Sequence, residues 1–573
     1  MDAHKAIITD IFNNSTLVEV PFFQRSYVWK DDLWGRFLED MEFVVKTDKP
    51  HFLGSIILKQ GRKPLPGEFF SSCRTLVDGQ QRLTTFLIFL KVLCMKLGQT
   101  AFFDFQFRIM GKNIALRHGR NDVEAFEKTM AATEPNEIDN PKPGSRVIEA
   151  YNYFVKNINA SKLNIMPIIM NAQFVRIDLD ENEDEQQIFD TLNSLGVNLT
   201  TSELLKNYFF SRETISDYES KWVSVFEKDE ETKAYWETEI ETGRIKRALI
   251  DIFFDAYFQI FIQDKKYQIS NEDKLMYSRV DNLALSYQNF INSYCGGNKN
   301  VVLDQLKEYA VCFMKTFRPE ICDMSISRSY GIERINIIIF GLKTSTLIPY
   351  VLYIAKNVCE LEKRNEMYRI LESYIMRRMI AHTSTKNYNN VFTSLILNAA
   401  LDSNSLMEKL GNSNDVTTYI PNDIEVNKGF HDYRFVNLQS RGIIYLIESV
   451  IRPDHSSTAL LGFNGYSLEH MMPKKWRNNW PKCQTEEGSQ RRDSVLLTLG
   501  NLAIIPQELN ASIRDGGWQT KKEGKDGKPG LEICAAGMMT VFDALQKDEW
   551  TENDIWERAE WLYSHAKKIW ELK

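Results

Sequence analysis

The chain has 573 residues, 43% hydrophobic, 12% aromatic and 26% charged, and its 70 basic and 77 acidic residues give a formal net charge of −7. That composition belongs to a folded globular chain and excludes a disordered or collagen-like one. It also excludes a protein that coats nucleic acid by bulk positive charge, so any nucleic-acid contact must come from local basic patches on an acidic body.

At roughly 100–200 residues per domain the length predicts about three domains. The opening MDAHKAIITDIF lacks an apolar signal core. No stretch reaches the ~18 uninterrupted apolar residues of a membrane helix, and the most apolar run, Ile335–Leu342, stops at Lys343. The eight cysteines are scattered without a C-x-x-C pair, which reads as reduced thiols in a cytoplasmic protein with no membrane attachment.

The first region, residues 1–212, mixes β-rich runs (Leu17–Val20, Gly54–Leu58, Thr75–Val77, Phe174–Leu179) with helical periodicity over Asp32–Val45, Gln81–Leu97 and Glu185–Phe210, an α+β pattern. Residues 213–400 carry long helical signatures (Ile245–Phe261, Val301–Thr316, Thr344–Cys359, Asn365–His382) and predict a helical connector. After a polar stretch, Asp402–Asp415, that reads as a linker or loop, residues 401–573 hold helices near Ser440–Ile451 and Asp554–Leu572. These flank a loop-rich segment, 461–530, whose Gly-, Lys- and Pro-rich end, 516–530, reads as its most flexible piece. The fold class expected is multidomain α+β with a mostly helical middle.

Two constellations carry chemistry. In Tyr466-Ser-Leu-Glu-His-Met-Met-Pro473 a Glu-His pair stands at a strand end; Leu499–Ile505 forms a second apolar strand opening with Gly500-Asn501, and Asn510, Lys521 and Lys522 follow. A neutral imidazole can take a proton from water near neutral pH. A carboxylate and an amide oxygen from two different elements can hold one divalent cation, which favours oxygen ligands and can stabilise a scissile phosphate. The segment 471–482 contributes Lys474, Lys475, Arg477 and Lys482 without an acid, interleaved with Trp476 and Trp480. It reads either as a phosphate-contacting surface or as a solvated face with tryptophans docked inward.

Near the start, Val20-Pro-Phe-Phe-Gln-Arg-Ser-Tyr-Val-Trp29 precedes Leu76-Val-Asp-Gly-Gln-Gln-Arg-Leu-Thr-Thr85. In the second motif a strand passes through Asp78-Gly79 directly into a helix. Gly79 allows the tight turn, the helix N-terminus offers donors to an anion, and Arg82 adds a planar fork for phosphate oxygens. Gln80 and Gln81 could orient a water or a phosphate, and Asp78 could hold a metal or position the arginine. Asp-Gly is equally a common turn dipeptide, and Gln24-Arg25 beside aromatics is often a packed pair.

Glu469-His470-x-x-Pro473, Gly500-Asn501-Leu502 and Asn510 together resemble the HNH nuclease motif in its ββα-metal form. More narrowly, LEHMMP…LGNLAIIPQELN is similar to the C-terminal domain of GmrSD-type modification-dependent restriction enzymes. The resemblance implies His470 as general base, Asn510 and Glu469 as ligands of Mg²⁺ or Mn²⁺, and Asn501 as a brace for the loop carrying the base. HNH enzymes more often have Asp-His, so the longer Glu469 could take an indirect role instead.

VPFFQRSYVW, GSIIL (Gly54–Leu58), LVDGQQRLTT and the segments 188–200 and 202–207 fall in the order of the ParB- and sulfiredoxin-like N-terminal domain of the same family. Residues 376–392 are a weaker match between the two ends. That domain binds and hydrolyses nucleoside triphosphates, GTP among them, and is implicated in sensing modified DNA. Carried over, Asp78, Gly79, Gln80, Gln81 and Arg82 would contact the triphosphate, with Gln24 and Arg25 lining the pocket and Asn193 and Lys206 on its second side. There is no Walker-type G-x-x-x-x-G-K-[ST]. Phosphorothioate-sensing effectors of the SspE type share both domains, and there Phe22, Phe23, Tyr27 and Trp29 could cup a softened phosphate or could be plain strand and core residues.

The function expected is therefore an antiviral-defence endonuclease acting on modified double-stranded DNA. Lys474, Lys475, Arg477, Lys482, Lys521 and Lys522 would contact DNA, and a homodimer would supply two HNH sites for a double-strand cut. The alternatives are a nucleotide-regulated DNA-binding switch with a degenerate nuclease domain, and a nuclease directed at RNA.

Overall fold

The computed structural model describes all residues except 1, 14, 22–23, 62–69, 120, 142–143, 181–199, 211–213, 244, 279–281, 412–414, 436, 454–458, 508–515, 526 and 573. The chain divides into two compact units, Met1–Tyr218 and Glu219–Lys573.

In the first unit the β-rich runs assemble into a mixed sheet. Its strand order among the described residues is Asp2–Ile7, Ala172–Leu179, His51–Gln60, Ser72–Asp78, Thr16–Glu19, Leu116–Arg117. His51–Gln60 runs parallel to Ala172–Leu179 and antiparallel to Ser72–Asp78, with Leu58 opposite Leu76. Ser72–Asp78 turns at Gly79, in the left-handed region at φ 103°, straight into the helix Gln80–Lys96. A Cβ on Gly79 would lie 3.0 Å from the Ile56 side chain, so conformation and space both select glycine.

The run Leu-Thr-Thr-Phe-Leu-Ile-Phe-Leu that follows is apolar on every face because the helix is buried on every face. The helices Asp31–Thr47 and Arg146–Asn157 pack beside it through Phe37, Phe86, Phe89 and Phe154, whose rings lie 5.4–6.3 Å apart. Of the helix expected over 185–210, the described part is Thr201–Phe209. It is opened by a capping box of Thr200 and Glu203.

The second unit is mainly helical, with two departures from the sequence reading. The signature at Ile245–Phe261 begins as a hairpin strand, Ile245–Ala248 paired with Glu239–Thr242, before the helix Leu249–Gln263. The polar stretch read as a linker at 402–415 holds a helix, Ser403–Gly411. Asp402 accepts the Ser405 N–H at 2.9 Å at its start, and Leu406 and Leu410, one turn apart, are buried.

The described residues from Glu219 onward, which include both the expected connector (213–400) and the expected nuclease region (401–573), form one compact unit. Arg334 on the helix Ile332–Asn336 is fully buried and meets Glu372 on Leu361–Ile380 in a two-pronged pair, at 2.8 and 2.5 Å. Its remaining nitrogen donates to Ser449 Oγ at 2.6 Å, and the Trp570 indole donates to Glu372 Oε1 at 2.8 Å. Every charge in this cluster is thus hydrogen-bonded, the condition for tolerating a buried ion pair.

Candidate active site

The strands Tyr466–His470 and Leu502–Pro506 form an antiparallel pair in which Glu469 stands opposite Ala503 and His470 opposite Leu502. Leu499–Asn501, expected as part of the second strand, is instead one tight helical turn. Asn501 is fully buried there: its Oδ1 accepts the Met472 N–H at 2.7 Å and the Trp550 indole at 3.1 Å, while its Nδ2 donates to the carbonyls of Met472 and Leu496 at 2.8 and 3.0 Å. The segment immediately after His470 is therefore held by the side chain of Asn501. Arg558, on the helix Glu552–Ile569, fixes the other side of the turn by donating to the carbonyls of Leu499 and Gly500 at 3.1 and 2.7 Å. Gly500 is required because a Cβ would lie 2.1 Å from the Ile555 carbonyl oxygen.

His470 is partly exposed at the strand end. Desolvation by burial, then the positive charges of Lys474 and Lys521, push its pKa down to about 4. The imidazole is neutral at physiological pH and can accept a proton.

The basic residues separate into two groups. Lys474, Lys475, Arg477 and Lys482 are exposed, whereas Trp476 and Trp480 dock inward, their indoles donating to Asp493 at 2.8 Å and to the Trp550 carbonyl at 3.3 Å. Arg477 is bidentate to Asp493, at 3.0 and 2.7 Å, so the acid absent from the local sequence arrives from the helix Glu486–Val495. Lys521 and Lys522, expected at a DNA-facing surface, are buried instead. Their segment is the helix Trp518–Glu523, anchored by Trp518, which stacks on Trp550 at 5.4 Å and donates to the Lys547 carbonyl. Lys522 binds the same carbonyl at 3.1 Å. Lys521 is fully enclosed, with its ammonium on the Glu469 carboxylate and on the His470 carbonyl at 2.6 Å.

This arrangement bears on the divalent cation. Among the described residues no three His, Cys, Asp or Glu side chains cluster as a cation site. Glu469 is neutralised by Lys521, and Asn510, the other expected ligand, lies outside the described residues. The described donor set does not fit a metal centre by itself.

In the first unit the D-G-Q-Q-R residues and Gln24-Arg25 are brought together, with their amides engaged by backbone. Gln24 donates to the Leu76 and Val77 carbonyls at 2.8 and 3.2 Å, Gln80 to the Arg25 carbonyl at 3.1 Å, and Gln81 bridges the Ser26 carbonyl and the Val28 N–H. These glutamines lace the extended segment 24–28 onto the strand–helix turn, a use of the amides that the sequence reading did not include. Arg82 pairs with Asp78 at 2.8 Å. It also borders a cavity of about 320 Å³ whose other walls include Trp29, Arg36, His51, Phe52 and Phe174.

Tyr27, weighed as part of an apolar cup, is a core residue: it is buried, and its hydroxyl joins Thr85 at 2.6 Å and the Trp34 indole at 2.8 Å. Arg25 lies 3.8 Å from Glu203, and Lys206 on the same helix is buried. Phe22, Phe23 and Asn193 lie outside the described residues.

The family model for the GmrSD restriction endonuclease N-terminal domain matches residues 8–210, and that for the GmrSD restriction endonuclease C-terminal domain matches residues 420–564. The chain belongs to the GmrSD restriction endonucleases. The two GmrSD matches fall one in each compact unit, the second spanning the His470 hairpin, Asn501, Lys521 and Arg558. No curated protein matches the chain significantly. Membership makes DNA the substrate class of this GmrSD chain, and among its described residues no helix is long and apolar enough to cross a membrane. Trp518, Trp550 and Arg558 support this GmrSD site but escaped the sequence reading. They share no local signal: Trp518 opens a short helix, Trp550 stands in the loop before Glu552–Ile569, and Arg558 lies within that long helix.

Proposed function

We propose that the chain is an antiviral-defence DNA endonuclease that cuts or nicks modified double-stranded DNA, with His470 as general base and with Mg²⁺ or Mn²⁺ as cofactor. The observation that carries this reading is a neutral imidazole at the end of a braced strand, followed along the chain by an exposed basic lip of Lys474, Lys475 and Lys482, of which Lys474 acts on the ring. A base with a pKa of about 4 is weak by itself. A DNA phosphate docking at Lys474 would offset that lysine's repulsion of the imidazolium, while burial, the larger cause of the lowered pKa, stays in place. His470 then takes a proton from the attacking water, and Asn501 keeps the following loop from moving as it does so.

In the same reading the first unit binds a nucleoside triphosphate such as GTP and senses the DNA mark. The Gly79 turn, Arg82 with Asp78, and the Trp29–Phe52 cavity support this, since aromatic walls with arginines suit a nucleotide. The test is plasmid cleavage by wild type and His470→Ala, with Mg²⁺, with Mn²⁺ or with chelator, with and without GTP, on DNA that is glucosylated, phosphorothioated or plain. Loss of cleavage in His470→Ala and in chelator is expected. Undiminished cleavage by His470→Ala would remove the histidine from its role.

A further inference from the structure

We infer that Lys521 is a positioning residue of the nuclease site and that Glu469 serves it as a structural anchor rather than as a ligand of the catalytic cation. This rests on the nuclease reading and deepens it. Glu469 lies in the penultimate position of its strand, buried, with its carboxylate turned to the fully enclosed ammonium of Lys521. The same ammonium donates to the carbonyl of His470 at 2.6 Å. One side chain thus joins the carboxylate before the histidine to the backbone of the histidine itself, and fixes the end of the strand in two places.

The lysine is itself held in place. Trp518, one turn earlier, stacks on Trp550, and Trp550 donates to Asn501, which binds the backbone just beyond His470. Lys521 and Asn501 therefore grip the histidine from its two sides, and Trp518 and Trp550 tie the grips together. A cation ligand needs a carboxylate with open lone pairs directed at substrate. A carboxylate enclosed with a lysine, on a side away from solvent, is instead a balanced pair whose separation would leave a bare charge in the interior. The extra methylene of glutamate relative to aspartate supplies the reach for this inward turn.

The test combines Glu469→Gln, Lys521→Met, Lys521→Arg and the double variant Glu469→Gln/Lys521→Met in the full chain, with two readouts besides cleavage. In urea unfolding each single neutralisation is expected to lower the midpoint more than the double variant does, because the double removes both charges. In Mn²⁺ binding followed by electron paramagnetic resonance, Glu469→Gln is expected to keep the wild-type dissociation constant within about twofold. Wherever the proteins are folded, Lys521→Met is expected to lower kcat by about 10–100-fold with little change in KM for DNA, and Lys521→Arg to recover part of it.

The inference is overturned if Glu469→Gln abolishes Mn²⁺ binding while Lys521→Met tightens it, since the lysine then merely stands where the cation belongs. It is overturned equally if Lys521→Met leaves stability and kcat unchanged. A wild-type protein that binds no Mn²⁺ and cuts no DNA would instead sink the nuclease reading, and the unfolding comparison would still decide whether the two charges act as one brace.

Discussion

Asn501 and Met472 are joined by two hydrogen bonds running in opposite directions: Met472 N–H to Oδ1 at 2.7 Å, and Nδ2–H to the Met472 carbonyl at 2.8 Å. An asparagine side chain thereby completes the pairing of a backbone that has just left its strand. No isosteric residue does the same, because the role needs one donor and one acceptor in a fixed plane. Asn501→Asp removes the donors to Met472 and Leu496 and places a charge in a fully buried site. Its expected cost is about 2–4 kcal/mol in urea unfolding, with cleavage lost at temperatures where the variant is still folded. A stability equal to wild type would mean that the bracing is dispensable.

His118 carries an acid sensitivity. Its ring is buried, Nε2 lies 3.0 Å from Thr84 Oγ1, and burial pushes its pKa down to about 3. The unfolded chain, with a histidine near 6.5, binds this proton before the folded one does. The contribution to stability is thus complete above about pH 6.5 and is lost as pH falls toward 3, on the order of 4–5 kcal/mol in all. Replacing His118 by glutamine is expected to flatten the stability of the first unit across that window. Parallel pH curves for the two proteins would place the acid loss elsewhere.

Arg334 and Glu372 are coupled in the strict sense. Either Arg334→Met or Glu372→Gln strands a partner in the interior and is expected to cost about 3–5 kcal/mol, whereas the double variant costs clearly less than the sum. A double-mutant cycle in urea gives the coupling directly, and additive losses would refute it.

The lysine lip predicts a salt dependence. If Lys474, Lys475 and Lys482 contact phosphates, each replacement by alanine shallows the slope of log affinity against log salt by about 0.9, and the three together by about 2.7. Arg477, held by Asp493, is expected to contribute less than a free lysine. A slope that the triple variant leaves unchanged would move DNA to another face.

The sequence is most legible where one motif holds its own partners. The strand Tyr466–His470 could be read because alternating and apolar residues lead to a Glu-His pair, and the turn at Gly79 because a β-rich run meets a helical one across Asp-Gly. It is least legible where a polar side chain is used at long range. Gln80 and Gln81 look like ligand groups because amides bind ligands, yet what they satisfy is an extended segment 55 residues away that has no sheet partner for its carbonyls. Lys521 and Lys522 look like surface charge because lysine usually is. Their burial depends on Trp518 docking on Trp550 and on a carboxylate 52 residues earlier, which no local period reveals. At 402–415, ten polar residues outweigh two leucines four apart, although that pair alone marks the buried side of a helix.

The cluster of Arg334, Glu372, Ser449 and Trp570 sets the size of the smallest transferable piece. A swap of the segment 401–573 between relatives, or its expression alone, would cut through these contacts, leaving the Trp570 indole without its acceptor and the Ser449 hydroxyl without its Arg334 donor. Recombination that keeps the nuclease working must carry positions 334 and 372 along with the His470 hairpin, so the heritable module is longer than the stretch that holds the catalytic motif.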